Sequence, residues 1–152
     1  MNKFLIIAII FSFLYSCSYQ PLYTEKQYGF EFSNIVFDGE TKINKIIKNK
    51  LKEKSKSGYK YDIYFNSKKN KEIVLSNKKG DPEIYKLKIY FEYKILKDGK
   101  IIFEDNILEQ VDYNNMTDKF ELDKYEENII IDLSNNFVNK LLVNVATLTD
   151  AK

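Results

Sequence analysis

The sequence predicts an α+β domain in which an antiparallel four-stranded sheet carries two helices packed on one face. Three observations predict this fold class: one segment alternates like a strand, two segments have helical spacing, and these elements follow one another in a particular order. Apolar and polar residues alternate over residues 85–95, whereas residues 43–51 and 122–145 repeat their apolar side chains at helical spacing. The resulting order is strand, helix, strands, helix. A length of 152 residues with 44% hydrophobic residues suits one domain with a substantial core.

A short strand and a helix are predicted first. The strand rests on apolar residues that precede Asp38-Gly39: Phe30, Phe32, Ile35 and Phe37. Thr41 is expected to cap a helix that runs to about Lys54. Its apolar stripe consists of Ile43, Ile46, Ile47 and Leu51. Its lysines lie on the other side: Lys48, Lys50, Lys52, Lys54 and Lys56. We expect a solvated face there, and contact with a membrane surface is the alternative.

Chain breaks and alternation define the middle strands. After Ser57-Gly58, residues 59–66 alternate between apolar and polar side chains and predict a strand. Residues 67–70 are predicted to form a turn, and residues 72–75 a short strand or an extended arm. The Lys-Lys-Gly-Asp-Pro run at 78–82 predicts a second break.

The strongest strand pattern follows this break. The apolar side chains of one face are Tyr85, Leu87, Ile89, Phe91, Tyr93 and Ile95. Asp98-Gly99 then predicts a two-residue hairpin turn, because Gly tolerates the positive φ that such a turn requires. The return strand starts at Lys100 and is expected to reach Tyr113, before Asn114-Asn115 end it.

From Thr117 to about Ala146 the apolar spacing becomes helical. The main stripe consists of Tyr125, Ile129, Leu133, Phe137, Leu141 and Val145, and the flanking positions are Leu122, Ile130, Val138 and Leu142. We interpret this stripe as the face of a helix that packs on the sheet. Acidic residues at the helix start are expected to lie along its outer side, where they favour the helix dipole: Asp118, Glu121, Asp123, Glu126 and Glu127.

The composition points away from an enzyme. All 24 basic residues are Lys, and they oppose 22 acidic residues without any His or Trp. The absence of His excludes Ser-His-Asp and Cys-His nucleophiles and imidazole metal sites. Without Arg, an anion would be held by Lys or by backbone N–H groups. We therefore predict no catalytic residues, no metal and no cofactor, and a net charge of +2 does not favour nucleic-acid binding.

The N-terminus has the anatomy of a secretory signal peptide. Lys3 precedes an apolar run, Phe4 to Leu14, that is too short to span a bilayer as a helix. Ser16 and Cys17 follow, and this arrangement resembles the lipobox of bacterial lipoproteins. The resemblance implies cleavage before Cys17 and a diacylglycerol group and an N-acyl chain, such as palmitate, on that residue. An uncleaved anchor or an ordinary buried cysteine is the alternative.

These patterns divide the chain into four parts. Residues 1–16 are the predicted signal peptide, 17–28 the lipidated tether, 29–148 the single α+β domain and 149–152 a short tail. Removal of the signal peptide would leave 152 − 16 = 136 residues. Ser18 is not Asp, and in the enteric sorting rule this implies transfer to the outer membrane.

Several segments together resemble the LptE family of LPS-assembly lipoproteins, in its alphaproteobacterial type. They are the Cys-Ser-Tyr-Gln-Pro-Leu-Tyr run at 17–23, the hairpin at 85–103 with Lys-Asp-Gly-Lys at its turn, and the helical segment at 132–141. The resemblance implies an outer-membrane lipoprotein on the periplasmic face. Such a protein plugs the LptD β-barrel, assists its assembly and helps deliver lipopolysaccharide to the outer leaflet.

If lipopolysaccharide is bound, its phosphates require cations, and Lys is the available residue. The candidates are Lys68, Lys69, Lys71, Lys78 and Lys79, with Lys124 added by the family resemblance. Two other functions stay open: an auxiliary lipoprotein of an ABC-type lipid export system, and a structural periplasmic lipoprotein without lipid cargo.

Overall fold

The computed structural model describes residues 28–54 and 58–150. Cys17, the predicted signal peptide and the predicted tether before Tyr28 lie outside the described residues. The elements are β1 (Phe30–Gly39), α1 (Thr41–Lys54), β2 (Tyr59–Ser76), β3 (Pro82–Lys97), β4 (Lys100–Asn114) and α2 (Lys119–Asp150). The α+β class, the four strands and the two helices are therefore confirmed.

The sheet has the strand order β1-β2-β3-β4. β3 is antiparallel to both β2 and β4, but β1 is parallel to β2. The prediction of a purely antiparallel sheet is therefore wrong. The reason is α1, which carries the chain back along the sheet, so that β2 starts at the end where β1 started and runs in the same direction.

β2 is much longer than the sequence predicted. Residues 67–70, expected to turn, continue the strand and pair with β3 from Ser67↔Phe91 to Asn70↔Lys88. β1 ends at Gly39, opposite Ser67, so nothing pairs with the outer edge of the remainder of β2 in the described residues. Lys68, Lys69 and Asn70 are exposed to solvent, whereas Ser67 is buried and its hydroxyl donates a hydrogen bond of 2.9 Å to Asn44 Oδ1. The pairing with β3 sets the conformation of all four residues.

The core lies between one face of the sheet and both helices. The helices run side by side in the same direction, since Lys42 Nζ lies 2.7 Å from Glu127 Oε1 and Lys54 Nζ lies 3.0 Å from Asn139 Oδ1. At the centre, the rings of Phe91 and Phe137 stack with centroids 4.2 Å apart. The predicted α2 stripe is buried except for Tyr125, which is 42% exposed.

Local signals fixed several boundaries correctly. α1 spans the predicted residues, and the β3–β4 turn has positive φ at both Asp98 (52°) and Gly99 (74°), as its two-residue length requires. α2 spans Lys119–Asp150 rather than the predicted Thr117 to about Ala146. Its start follows Asp118, whose Oδ1 accepts hydrogen bonds from the backbone N–H groups of Phe120 (2.9 Å) and Glu121 (3.2 Å). Asp118 is thus the N-cap of the long helix.

Candidate functional site

The turn between β2 and β3 presents two lysines at one end of the domain. Asn77 Oδ1 accepts hydrogen bonds from the backbone N–H groups of Lys79 (2.8 Å) and Asp81 (2.9 Å). The backbone N–H of Asn77 also donates to the carbonyl of Asp81, at 2.9 Å. These bonds hold the turn in shape, and the side chains of Lys78 and Lys79 are exposed.

Exposed apolar side chains lie at the same end. Ile73 is 58% exposed, and its neighbours Val74 and Leu75 are also exposed. The start of α2 adds Phe120, which is 65% exposed. We call this end of the domain the hairpin pole, and define it by residues 73–75, Lys78, Lys79, Phe120 and Lys124.

Backbone contacts bring the start of α2 to the hairpin pole. The backbone N–H of Asn115 donates to the carbonyl of Glu83 at 2.8 Å, and its side-chain amide donates to the carbonyl of Pro82 at 2.8 Å. Lys124 Nζ lies 4.4 Å from the centre of the Phe120 ring, a cation–π contact. Lysines and exposed apolar groups therefore occur at the same end of the domain.

The lysine candidates fall into two groups. Within the described residues, the ammonium groups of Lys68, Lys69, Lys78 and Lys79 make no hydrogen bond or ion pair. They are exposed, although Lys68 and Lys69 point to opposite faces of β2, further from the turn. Lys78 and Lys79 lie in the β2–β3 turn, and Lys124 lies near the start of α2 at the same end of the domain.

Lys71 differs from the other candidates because its charge is already paired. Its ammonium makes an ion pair with Glu126 of α2 and lies 4.0 Å from the centre of the Tyr85 ring. Tyr113 donates a hydrogen bond of 2.7 Å to the same carboxylate. Burial, and then this hydrogen bond, raise the pKa of the Tyr113 hydroxyl above its ordinary value of 10.0.

Glu126 was expected on the outer side of α2, and this expectation is wrong. Its side chain is only 18% exposed and faces the sheet between Lys71 and Tyr113. The sequence offered one signal: Glu126 comes four residues after Leu122 and three before Ile129, which both belong to the apolar face.

The sheet face opposite the helices carries cross-strand ion pairs. Lys88 lies 2.7 Å from Glu72, Lys86 lies 3.5 Å from Asp112, and Lys94 lies 3.7 Å from Glu104. The hydrogen bond to Glu72 raises the pKa of Lys88. A groove of about 490 Å³ crosses this face beside Tyr64, Asn66 and Lys94. The charged residues that line the groove are Asp38, Glu92, Glu104, Asp105 and Lys94, so the groove does not favour an anionic ligand.

No cluster of three or more His, Cys, Asp and Glu side chains is placed to hold a metal ion in residues 28–54 and 58–150. Over the same ranges, neither helix combines the length and apolar character needed to cross a bilayer.

Comparisons with known proteins give a fold. No family model and no curated protein matches the sequence. The solved structure of rare lipoprotein B from Shewanella oneidensis matches with a TM-score of 0.61 at 11% identity, over 78% of this chain and 97% of that one. The chain has the fold of this bacterial lipoprotein.

Two further solved structures agree. A putative lipoprotein from Caulobacter crescentus matches with a TM-score of 0.56 at 13% identity, over 78% of this chain and 92% of that one. Uncharacterized lipoprotein B from Nitrosomonas europaea matches with a TM-score of 0.54 at 15% identity, over 80% of this chain and 86% of that one. At sequence identities this low, the similarity to these structures shows a shared fold and nothing more specific.

Proposed function

We propose that this chain is a lipid-anchored outer-membrane protein that plugs an LptD-like β-barrel and helps deliver lipopolysaccharide to the outer leaflet. Acylated Cys17 holds it on the periplasmic face. The similarity of its fold to those of bacterial lipoproteins supports the anchor, as does the lipobox-like sequence around Cys17. The barrel partner comes from the resemblance of its sequence to the LptE family.

The hairpin pole is the observation that carries the proposal. Lipid A combines acyl chains with anionic phosphates, so a site for it needs apolar surface beside cations. The pole has the exposed residues Ile73 and Phe120 at the same end of the domain as Lys78, Lys79 and Lys124. Lys78 and Lys79 make no ion pair in the described residues. We therefore retain Lys78, Lys79 and Lys124 as the phosphate contacts and place Lys71 in a structural pair.

Binding of purified lipopolysaccharide to the lipidated protein tests this site. We expect Lys78→Glu combined with Lys79→Glu to weaken binding by at least about tenfold, because two attractions become repulsions. The matched control is Lys45→Glu combined with Lys48→Glu, two exposed lysines of α1 that make no ion pair in the described residues. Unchanged affinity in the first variant would remove this pair of lysines from the site.

The alternative functions predict other partners. An auxiliary lipoprotein of an ABC-type lipid exporter would form its stable complex with an inner-membrane transporter. A structural lipoprotein would bind neither lipopolysaccharide nor a large barrel. The fold shared with bacterial lipoproteins is compatible with all three functions, so the stable partner of this chain is what separates them.

A further inference from the structure

The end of the domain opposite the hairpin pole has its own surface. The backbone N–H of Tyr59 donates to the carbonyl of Gly29 at 3.0 Å, which puts the start of β2 beside the point where the chain enters the domain. Lys97 Nζ lies 5.5 Å from the centre of the Tyr59 ring. The β3–β4 turn therefore lies at this end as well.

Large apolar side chains remain exposed here. Tyr59 is 50% exposed, Ile101 is 54% exposed and Ile102 is 42% exposed. Ile102 is the extra residue where the β3–β4 register shifts, between the pairs Ile95↔Phe103 and Leu96↔Ile101. We define the tether pole by Tyr59, Lys97, Lys100, Ile101 and Ile102.

The charge of the tether pole is mainly basic. Lys97 and Lys100 are opposite each other in the β3–β4 strand register. Lys100 makes no ion pair in the described residues. Asp98 lies in the turn between them, and Lys60 lies 3.6 Å from Glu31. Tyr, Lys and aliphatic side chains together suit the boundary between lipid headgroups and acyl chains, where Tyr keeps its hydroxyl in water and Lys extends its ammonium outward.

We propose that, in the lipoprotein that has not yet entered its barrel, the tether pole docks on the headgroup layer of an anionic phospholipid bilayer and holds the domain upright, with the hairpin pole pointing away from that bilayer. This docking rests on the proposed acyl anchor at Cys17. It adds a contact of the folded domain with the bilayer to the anchor.

Chain length favours this orientation over the inverted one. Cys17 and Tyr28 are separated by 28 − 17 = 11 residue steps, which span at most about 40 Å when fully extended. β3 has 16 residues, so the hairpin pole lies about 50 Å from the tether pole. If the domain stood the other way up, with its hairpin pole on the bilayer, Tyr28 would lie about 50 Å from the bilayer. The tether could not span that distance from an anchor at Cys17.

The sequence allows a clean test because the chain has no Trp. Ile101→Trp and Val74→Trp each create a single fluorescent reporter at an exposed site, one at each pole. The lipidated full-length proteins are reconstituted in vesicles of phosphatidylethanolamine and phosphatidylglycerol with brominated acyl chains, which quench Trp only at close range. We expect the reporter at position 101 to lose roughly half of its emission and the reporter at position 74 to lose almost none.

Charge variants show whether the lysines contribute. In the Ile101→Trp background, Lys97→Glu combined with Lys100→Glu should abolish most of the quenching, whereas the control Lys45→Glu combined with Lys48→Glu should leave it unchanged. Vesicles without phosphatidylglycerol should also quench less. Circular dichroism confirms that each variant is folded.

Three results would overturn the docking. They are an unquenched reporter at position 101, stronger quenching at position 74, and quenching that does not depend on phosphatidylglycerol. The mass of the N-terminal peptide reports acylation of Cys17 separately. A lipidated chain with an unquenched reporter at 101 overturns the docking alone, whereas a chain without acyl groups overturns the anchor and the docking that rests on it.

Discussion

Tyr113 of β4 donates a hydrogen bond of 2.7 Å to Glu126 of α2, and Lys71 of β2 makes an ion pair with the same carboxylate. One acidic side chain thus connects the start of the long helix to two strands of the sheet. Lys71 belongs to the part of β2 that extends beyond β1 and leads to the hairpin pole. The contacts of Glu126 therefore hold this part of β2 against α2.

Replacing Glu126 should destabilise the fold. We expect Glu126→Ala to lower the free energy of unfolding by about 2–3 kcal/mol, because it leaves a half-buried ammonium and a buried hydroxyl without their acceptor. The neighbouring Glu127→Ala is the control, since Glu127 pairs with Lys42 at the exposed surface, and about 0.5 kcal/mol is expected there. Urea unfolding measures both. Equal losses would mean that the contact contributes no more than a surface pair.

The raised pKa of Tyr113 predicts a change of stability at alkaline pH. Above about pH 10 the unfolded chain loses the tyrosine proton while the folded chain keeps it, so the contribution of Tyr113 is complete below pH 10 and falls above it. Tyr113→Phe should therefore be less stable than the wild type at pH 7, by about 1 kcal/mol for the lost hydrogen bond.

This difference should shrink as the pH rises from 9 to about 11, because only the wild type carries the titrating group. Tyr64→Phe, at an exposed position, is the matched control and should follow the wild type. Urea unfolding at each pH measures the effect. If the difference in stability between Tyr113→Phe and the wild type stayed constant over this pH range, the raised pKa of Tyr113 would be contradicted.

Phe137 is the central side chain of the core. It is fully buried, and its ring lies 4.2 Å from that of Phe91 and 5.2 Å from that of Phe65, centroid to centroid. Phe137→Ala should cost about 3–5 kcal/mol, since it removes a buried ring and leaves a cavity. Phe120→Ala, at an exposed position of the same helix, should change stability by less than about 0.5 kcal/mol. Thermal and urea unfolding measure the loss of stability in both variants. Similar losses would contradict the position of Phe137 at the centre of the core.

The proposed acylation of Cys17 gives a further prediction. Under the proposed function Cys17 is the thiol that would take the diacylglycerol group, so Cys17→Ser should carry no acyl mass and should not be processed as a lipoprotein. Mass spectrometry of the N-terminal peptide, with detergent-phase partitioning, measures the change. Ser18→Ala is the control and should keep the acyl groups. A wild-type N-terminus without added mass would refute lipidation.

Local patterns predicted much of the fold because local chemistry determines it. The stripe from Ile43 to Leu51 determined α1, since helical spacing depends only on residues a few positions apart. Asp98-Gly99 determined the β3–β4 turn through backbone geometry. The face of β3 from Tyr85 to Ile95 was correct because its alternation is long and regular.

The failures concern partners that are distant in sequence. The orientation of β1 depends on how α1 packs, and residues 67–70 are a strand because β3 pairs with them. Composition alone suggested a turn there. The pairing of Lys71 with Glu126 joins residues 55 positions apart, so local charge patterning gave no reason to remove Lys71 from the candidate cations.

The identity of the stable partner tests the central claim most directly. The protein, tagged at its C-terminus, is extracted from envelopes in mild detergent and purified, and the proteins that remain bound are identified and counted. The proposed function predicts a one-to-one complex with a large outer-membrane β-barrel that survives washing. Recovery of an inner-membrane transporter in place of the barrel, or of the lipoprotein alone, would contradict it.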